Sequence, residues 1–406
     1  MKNFLLIIAL FALSAQMPVF AQAPSYTAAV STARLEHLDD FIESQIEQDQ
    51  IPGAVVLIHR QGETVYKKAY GYRNLDAKEK MEADDIFYIQ SMTKPIISVA
   101  FMMLYEEGHF LLTDPVSKYI PAFKDLVVIK NAEDGIDGEI VPLNREITIA
   151  QLLSHTAGFT HGLDGSRFDR ELMEKAMKPF TSISERTNAL FELPLRNQPG
   201  EEWRYSFAPD VLSVLIEQFS GMSTADFLQE RVFDPLEMKD TGYNLNPDQQ
   251  DRVVRLHGQY DDSGLSVSQR YQPPMSGNTV WSGVNALFST TSDYLNFCQM
   301  LLNQGEWNGK RLLSRKTVEL MTINQTGDLF PAPGYGFGFG FRVLADLGEA
   351  KLYGSEGLFN WGGAYNTHFF VDPQEDLIAI FCTQTEPYSD YYHDKLRQLT
   401  YQALMD

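Results

Sequence analysis

The sequence predicts an α/β fold in which one sheet is assembled from both terminal regions and a helical region is inserted between them. Three patterns point that way. Short apolar runs bounded by turn residues fill Ile51 to Gly71, similar runs return between Tyr335 and Gln384, and the long stretch between carries mainly helical spacing with Pro and Gly punctuation. The chain has 406 residues, 44% of them apolar and 21% charged. That is enough to bury a large core, and it excludes a coiled coil, a collagen-like repeat and wholesale disorder.

The elements follow in order. Lys2, the apolar run Phe4 to Leu13 and the small residues of Ala21-Gln22-Ala23 predict a signal peptide over residues 1–23, removed on export to a secreted or periplasmic location. The apolar run is well short of the roughly 20 residues that span a bilayer, so no stable membrane insertion is expected after cleavage. Next, Leu35, Leu38, Ile42 and Ile46 recur at helical spacing among acidic and amide residues, predicting an amphipathic surface helix. Ala54 to His59 and Thr64 to Tyr70 read as strands joined by a turn at Gln61-Gly62. From Ser91 to Tyr105 the apolar residues leave almost no polar stripe, which predicts a helix buried on most of its circumference.

Between about 112 and 350, "ITIAQLLSHTAGF" predicts a helix ending at Gly158, "DVLSVLIEQFSG" one ending at Gly221, and "TTSDYLNFCQMLLNQG" one ending at Gly305. Segments 128–145 and 241–280 lack strong periodicity and are expected to be long surface loops shaping a cleft. "YGFGFGFRV" and the apolar runs flanking Asp372 to Asp376 return to strands, and Tyr392 to Met405 closes the chain as a helix. Cys298 and Cys382 both sit in apolar surroundings, as core hydrophobes do. Export would permit a disulfide between them, and their spacing leaves that open.

Charge narrows the function. With 33 Lys plus Arg against 54 Asp plus Glu, the formal net charge is −21, which disfavours nucleic acid and anionic surfaces as partners. At the start of the buried helix, Ser91 and Lys94 are spaced to share one face. A lysine kept neutral by burial can take the proton of a serine hydroxyl and make it a nucleophile. The same residues also suit an N-cap serine and a lysine snorkelling to solvent, and spacing alone leaves both readings open.

"SMTKP" at 91–95, "LLSHTAGF" at 152–159, "PGEEWRYSFAPDVLSVLIEQFSG" at 199–221 and "WGGAYNTHFFVDP" at 361–373 occur in an order that resembles the serine beta-lactamase-related hydrolases, in particular the class C and carboxylesterase-like branch. The resemblance runs over about residues 33–400. It implies a beta-lactamase/transpeptidase-like fold, with an antiparallel sheet packed against a helical domain and the active site between them. By the same resemblance Ser91 is the acylated nucleophile, Lys94 its proton acceptor and Tyr205 a proton relay. The backbone N–H groups of Ser91 and Ala364 form the oxyanion hole.

Two departures bear on the substrate. Trp361-Gly362-Gly363 stands where the family usually has Lys-Thr-Gly or Lys-Ser-Gly, and Tyr205-Ser206-Phe207 where it has Tyr-x-Asn. Phe207, Trp361, Gly362 and Gly363 are therefore expected to line the substrate site, with polar handles removed and the catalytic trio intact. That combination favours a small neutral carboxylic ester. The alternatives are a D-amino-acid-specific peptidase or amidase, a beta-lactamase, an acyltransferase and a non-catalytic envelope binding protein.

Other patterns carry less. His155 is expected to support the loop after its helix. The 8 histidines include no His-Glu-x-x-His pattern, and the glycines of "YGFGFG" do not open a helix as a dinucleotide motif would. The expected chemistry needs no metal and no organic cofactor. The sequence leaves the oligomeric state open.

Overall fold

The computed structural model describes residues 26–176, 178–260 and 264–406. The expected signal peptide, 1–23, lies outside them.

Helix α1, Thr32–Glu47, is followed by strands β1, Gly53–Arg60, and β2, Glu63–Asn74. Gln61 and Gly62 both take positive φ, 50° and 78°, as a tight turn matching the twist of its strands requires. After β3, Glu79–Lys80, helix α2 runs from Thr93 to Glu106. The inserted region contributes α3, Ile149–Leu153, α4, Arg167–Ala176, α5, Ile183–Phe191, α6, Ala208–Ser220, and α7, Thr291–Leu302. The chain then returns to the sheet with β4, Tyr335–Phe337, β5, Arg342–Leu344, β6, Phe359–Gly363, β7, Thr367–Asp372, and β8, Leu377–Cys382, and ends in α8, Asp390–Tyr401.

These strands form one 8-stranded antiparallel sheet in the order β4-β5-β6-β7-β8-β1-β2-β3. The two ends of the chain meet at its centre, where Leu377 pairs with Arg60 and Cys382 with Val55. Every residue of β1, β7 and β8 is buried because helices cover both faces. Strand alternation divides the side chains: Ala54, Val56, Ile58, Phe370 and Phe381 pack with Leu35, Leu38 and Ile42 of α1 and Leu396 of α8. Val55, Leu57, Phe369 and Ile380 point the other way, into the cluster shared by α2, α6 and α7.

Every residue of α2 from Thr93 to Leu104 is buried, as its unbroken apolar circumference requires. The helix starts later than its pattern suggests. Gln90–Met92 form a separate 3₁₀ turn, entered through Gln90 at φ 48°, so Ser91 stands in that turn and Met92 occupies the cap position. Pro95 falls in the first turn of α2, where its missing N–H breaks no helical bond.

Several expectations need correction. Helix α3 stops at Leu153, before Gly158, because His155 turns the backbone to φ 58°. Helix α7 stops at Leu302, with Gln304 and Gly305 carrying positive φ beyond it. The α6 end at Gly221, in left-handed conformation, agrees with its pattern. "YGFGFGFRV" is two strands, β4 and β5, paired through Gly336 and Val343. Segment 128–145 contains a hairpin strand pairing Val127–Ile129 with Ile140–Pro142, and 241–280 contains a short helix and a strand pair. Cys298 and Cys382 are free, buried thiols.

Candidate active site

The 3₁₀ turn before α2 presents Ser91 to a cavity of about 430 Å³, which Tyr205, Trp361, Gly362, Gly363 and Ala364 also line. Lys94 Nζ lies 3.1 Å from Ser91 Oγ and 2.8 Å from the Val284 carbonyl oxygen. It stands 4.4 Å from the centre of the Tyr205 ring. Lys94 is 1% exposed, and burial holds its ammonium well below the ordinary lysine range. Asp210 opposes that shift, while Arg186 adds to it. Among the described residues no carboxylate comes within ion-pair distance of Lys94. The snorkelling alternative does not fit this geometry, because the amine is buried and bonded to Ser91 and the Val284 carbonyl.

Asp210 organises the loop that receives Lys94. It is 0% exposed in the first turn of α6 and accepts from Ser282 Oγ at 2.7 Å and from the Gly283 and Val284 N–H groups at 2.9 and 3.3 Å. Arg186, from α5, approaches its other oxygen at 3.3 Å.

Tyr205 reaches the site from the segment before α6. Its hydroxyl is buried beside Ser91 and the Trp361 indole without completing a well-formed hydrogen bond to either. Burial raises the phenol far above its ordinary value, so it stays protonated at any working pH. His155 anchors this segment: its carbonyl accepts the Arg204 N–H at 2.9 Å, its Nδ1 pairs with Ser206 Oγ at 2.8 Å, and its ring lies 5.2 Å from that of Tyr205. It supports the loop, and Tyr205 through it.

Gly363 brings the end of β6 against the residues preceding Ser91. A Cβ there would stand 2.4 Å from the Ile89 carbonyl oxygen and 2.3 Å from Thr367 Oγ1. Ala364 follows at the cavity wall. Neither its N–H nor that of Ser91 is taken by a backbone carbonyl among the described residues, leaving two donors available there.

Phe207 is placed differently from the expectation. It is 6% exposed, packed with Phe168 and Leu172 under the Arg186 guanidinium, and stands back from the substrate wall. The apolar rims come from Leu163 and Phe330 instead, and segments 128–145 and 241–280 are not among the cavity's described lining residues.

A family model described as beta-lactamase matches residues 38–402. The chain belongs to that family. Protein Rv1367c of Mycobacterium tuberculosis is 33% identical over 350 residues, spanning 83% of this chain and 86% of the relative. Esterase EstB of Burkholderia gladioli is 28% identical over 383 residues, 89% of this chain and 92% of its own. Among solved structures, EstCE1, described as a hydrolase with promiscuous acyltransferase activity, superposes with a TM-score of 0.77 at 26% identity, covering 91% of this chain and 99% of that one. The beta-lactamase/transpeptidase-like fold and membership in a serine hydrolase family follow from these matches.

Residues that the sequence reading did not single out complete this family member's site. Arg186, Asp210 and the Val284 carbonyl surround Lys94, and His161 packs on Tyr205. Arg342, Asn360, His368 and His393 line the far part of the cavity. Asp210 has a faint signal, an acid beside Pro209 at a helix start. Arg342 has none, because it reaches the site through strand pairing with Asn360.

Proposed function

We propose that this protein hydrolyses small carboxylic esters through an acyl-enzyme on Ser91. The observation that carries the reading is the 3.1 Å approach of Lys94 Nζ to Ser91 Oγ, with the lysine fully buried. Desolvation favours a neutral amine at Lys94 and a protonated phenol at Tyr205, which makes Lys94 the base and Tyr205 the relay.

In this mechanism Lys94 takes the Ser91 proton as Oγ bonds to the ester carbonyl carbon. The developing oxyanion is met by the Ser91 and Ala364 N–H groups. The C–O bond to the alcohol then breaks, the proton passes from Lys94 through Tyr205 to the leaving oxygen, and an acyl ester remains on Ser91. Water repeats the sequence, with Lys94 as base, and releases the acid. An alcohol entering in place of water would give acyl transfer.

An ester is favoured over a beta-lactam or a D-Ala-D-Ala peptide by the wall beside Ser91. Trp361 sets an indole there, and Leu163 and Phe330 extend it, so this wall offers no amide to pair with a substrate amide. Each buried polar substrate atom left unpaired costs about 1–3 kcal/mol. The test compares kcat/KM for 4-nitrophenyl butyrate, nitrocefin and a D-Ala-D-Ala peptide, each divided by its uncatalysed rate. The greatest acceleration is expected on the butyrate; a greater one on nitrocefin or the peptide contradicts the reading.

Export is part of the proposal and rests on residues 1–23. N-terminal sequencing of protein from its native source is expected to start at Pro24, or at Gln22 if cleavage follows Ala21. Uncleaved cytosolic protein contradicts it.

A further inference from the structure

The catalytic cavity has two lobes of opposite chemistry. The lobe at Ser91 is walled by Leu163, Tyr205, Phe330 and Trp361. The other is walled by Arg342, Asn360, His368, Tyr388, Asp390 and His393. Alternation along β6 puts Asn360 and Gly362 on the face opposite Trp361 and Gly363. Both groups of residues line one cavity, and β5 pairs with β6 at Phe359 and Asn360, before Trp361. Gly362 lets the His368 ring lie close against β6: a Cβ there would stand 2.7 Å from His368 Nδ1.

The second lobe holds more hydrogen-bond donors than its own acceptors satisfy. Arg342 Nε donates to Asn360 Oδ1 at 2.8 Å, and its Nη2 lies 3.1 Å from His393 Nε2. That first bond fixes the amide, so Asn360 Nδ2 faces away from Arg342 as a donor, and it has no partner although Asn360 is 0% exposed. His368 Nε2, on a side chain 1% exposed, is also unpartnered. Polar atoms this deep are nearly always paired. Two carboxylates belong to this end of the cavity, Asp390, which accepts from the Tyr388 hydroxyl at 2.8 Å, and Asp394, which pairs with His393 Nδ1 at 3.1 Å, and neither is bonded to Arg342 or Asn360. Arg342 has no ion-pair partner among the described residues. Burial holds His368 and His393 neutral, which leaves Arg342 as the lobe's cation.

We propose that this lobe binds a carboxylate of the substrate, through Arg342 and Asn360 Nδ2, so that the esters cleaved at Ser91 carry a free carboxylate several bonds from the scissile carbonyl. The proposal rests on the ester-hydrolase reading above, and it replaces the neutral ester expected from Trp361 and Phe207. A cation lost at one position of β6 is supplied by the adjacent strand on the opposite face. A carboxylate suits the lobe better than a neutral acceptor because it answers a guanidinium that has only neutral partners and leaves a second oxygen for the amide.

The carboxylate could belong to the acyl part, as in a half-ester of a dicarboxylic acid, or to the alcohol part, as in an ester of a hydroxy acid. The test uses the mature enzyme and one matched pair for each. Mono-4-nitrophenyl glutarate is set against 4-nitrophenyl pentanoate, and 3-(butanoyloxy)benzoate against phenyl butyrate, every kcat/KM being divided by the spontaneous rate. The anionic member is expected to lead in one pair by about tenfold or more, the size of one charge-assisted hydrogen bond. That lead should collapse in Arg342→Gln, shrink in Asn360→Leu and return in part in Arg342→Lys. Should the glutamine variant fail to fold, free glutarate in the wild type is expected to slow fluorophosphonate labelling of Ser91 where butyramide does not. No lead in either pair, or a lead undiminished in both Arg342→Gln and Asn360→Leu, overturns the proposal while ester cleavage stands. Failure of the wild type to cleave any of these esters or to label at Ser91 overturns the hydrolase reading as well.

Discussion

The His161 imidazole lies nearly parallel to the Tyr205 ring, with 14° between the planes and 5.2 Å between the centroids, and equally parallel to Phe207 at 4.5 Å. Burial lowers this imidazole to about 3, so it stays neutral through the working range and acts by packing. Phe207, away from the substrate wall, thus bears on the site through His161 and Tyr205.

The first prediction follows from that stack. His161→Ala should lower kcat on 4-nitrophenyl butyrate by roughly tenfold, a loss of about 1.4 kcal/mol, because aromatic packing of this kind contributes about 0.5–1.5 kcal/mol to holding a ring in place. His161→Phe should restore most of it. Steady-state kinetics on both variants decide the matter, and equal losses in the two would point to imidazole chemistry.

A pH profile tests the charge balance at Lys94. In the proposed mechanism the neutral amine is the base, so kcat/KM should rise with pH and level off well below 10.5, the ordinary lysine value. Asp210 favours the charged amine and raises its pKa. Removing that charge in Asp210→Asn lowers the pKa further, and the acid limb should move to lower pH. A limb displaced upward would show that another group controls it.

Gly363→Ala probes the approach of β6 to the nucleophile turn. The added Cβ meets backbone at Ile89, which cannot swing aside as a flexible side chain could. The strand end and Ala364 must shift, and kcat should fall about 100-fold or more, as when one oxyanion donor is lost. Kinetics alongside a thermal melt separate this from unfolding; a folded variant within roughly threefold of wild type would place the oxyanion donors elsewhere.

Trp361→Lys restores the ammonium usual in the third family motif, on the Ser91 side of β6. It should raise kcat/KM for nitrocefin relative to 4-nitrophenyl butyrate, by about tenfold or more if one hydrogen bond to a charged group is regained. An unchanged ratio would mean that the indole does not set this preference.

Much of the scaffold was legible in the sequence because it rests on local signals. Gln61-Gly62 announces a hairpin, the unbroken apolar run after Lys94 announces a buried helix, and the strands around Asp372 to Asp376 carry their own turn. Helix ends were read less well where a non-glycine residue takes positive φ. His155 does so ahead of Gly158, and Gln304 ahead of Gly305. The Ser91–Lys94 pair was readable because its residues are three apart on one helical face. Arg342 and Asn360, 18 positions apart in sequence, meet through cross-strand pairing that no local pattern encodes. Phe207 was assigned by motif position to the substrate wall, whereas the packing of α4 and α5 draws its ring inward.

The central claim is a covalent acyl-enzyme at Ser91, and intact-mass spectrometry after brief reaction with a fluorophosphonate or an activated ester tests it most directly. Wild type should gain the mass of one acyl or phosphonyl group, mapped by peptide digestion to Ser91, and Ser91→Ala should gain none. A Ser91→Ala protein labelled to the same extent, or an adduct mapped to another residue, would contradict the account.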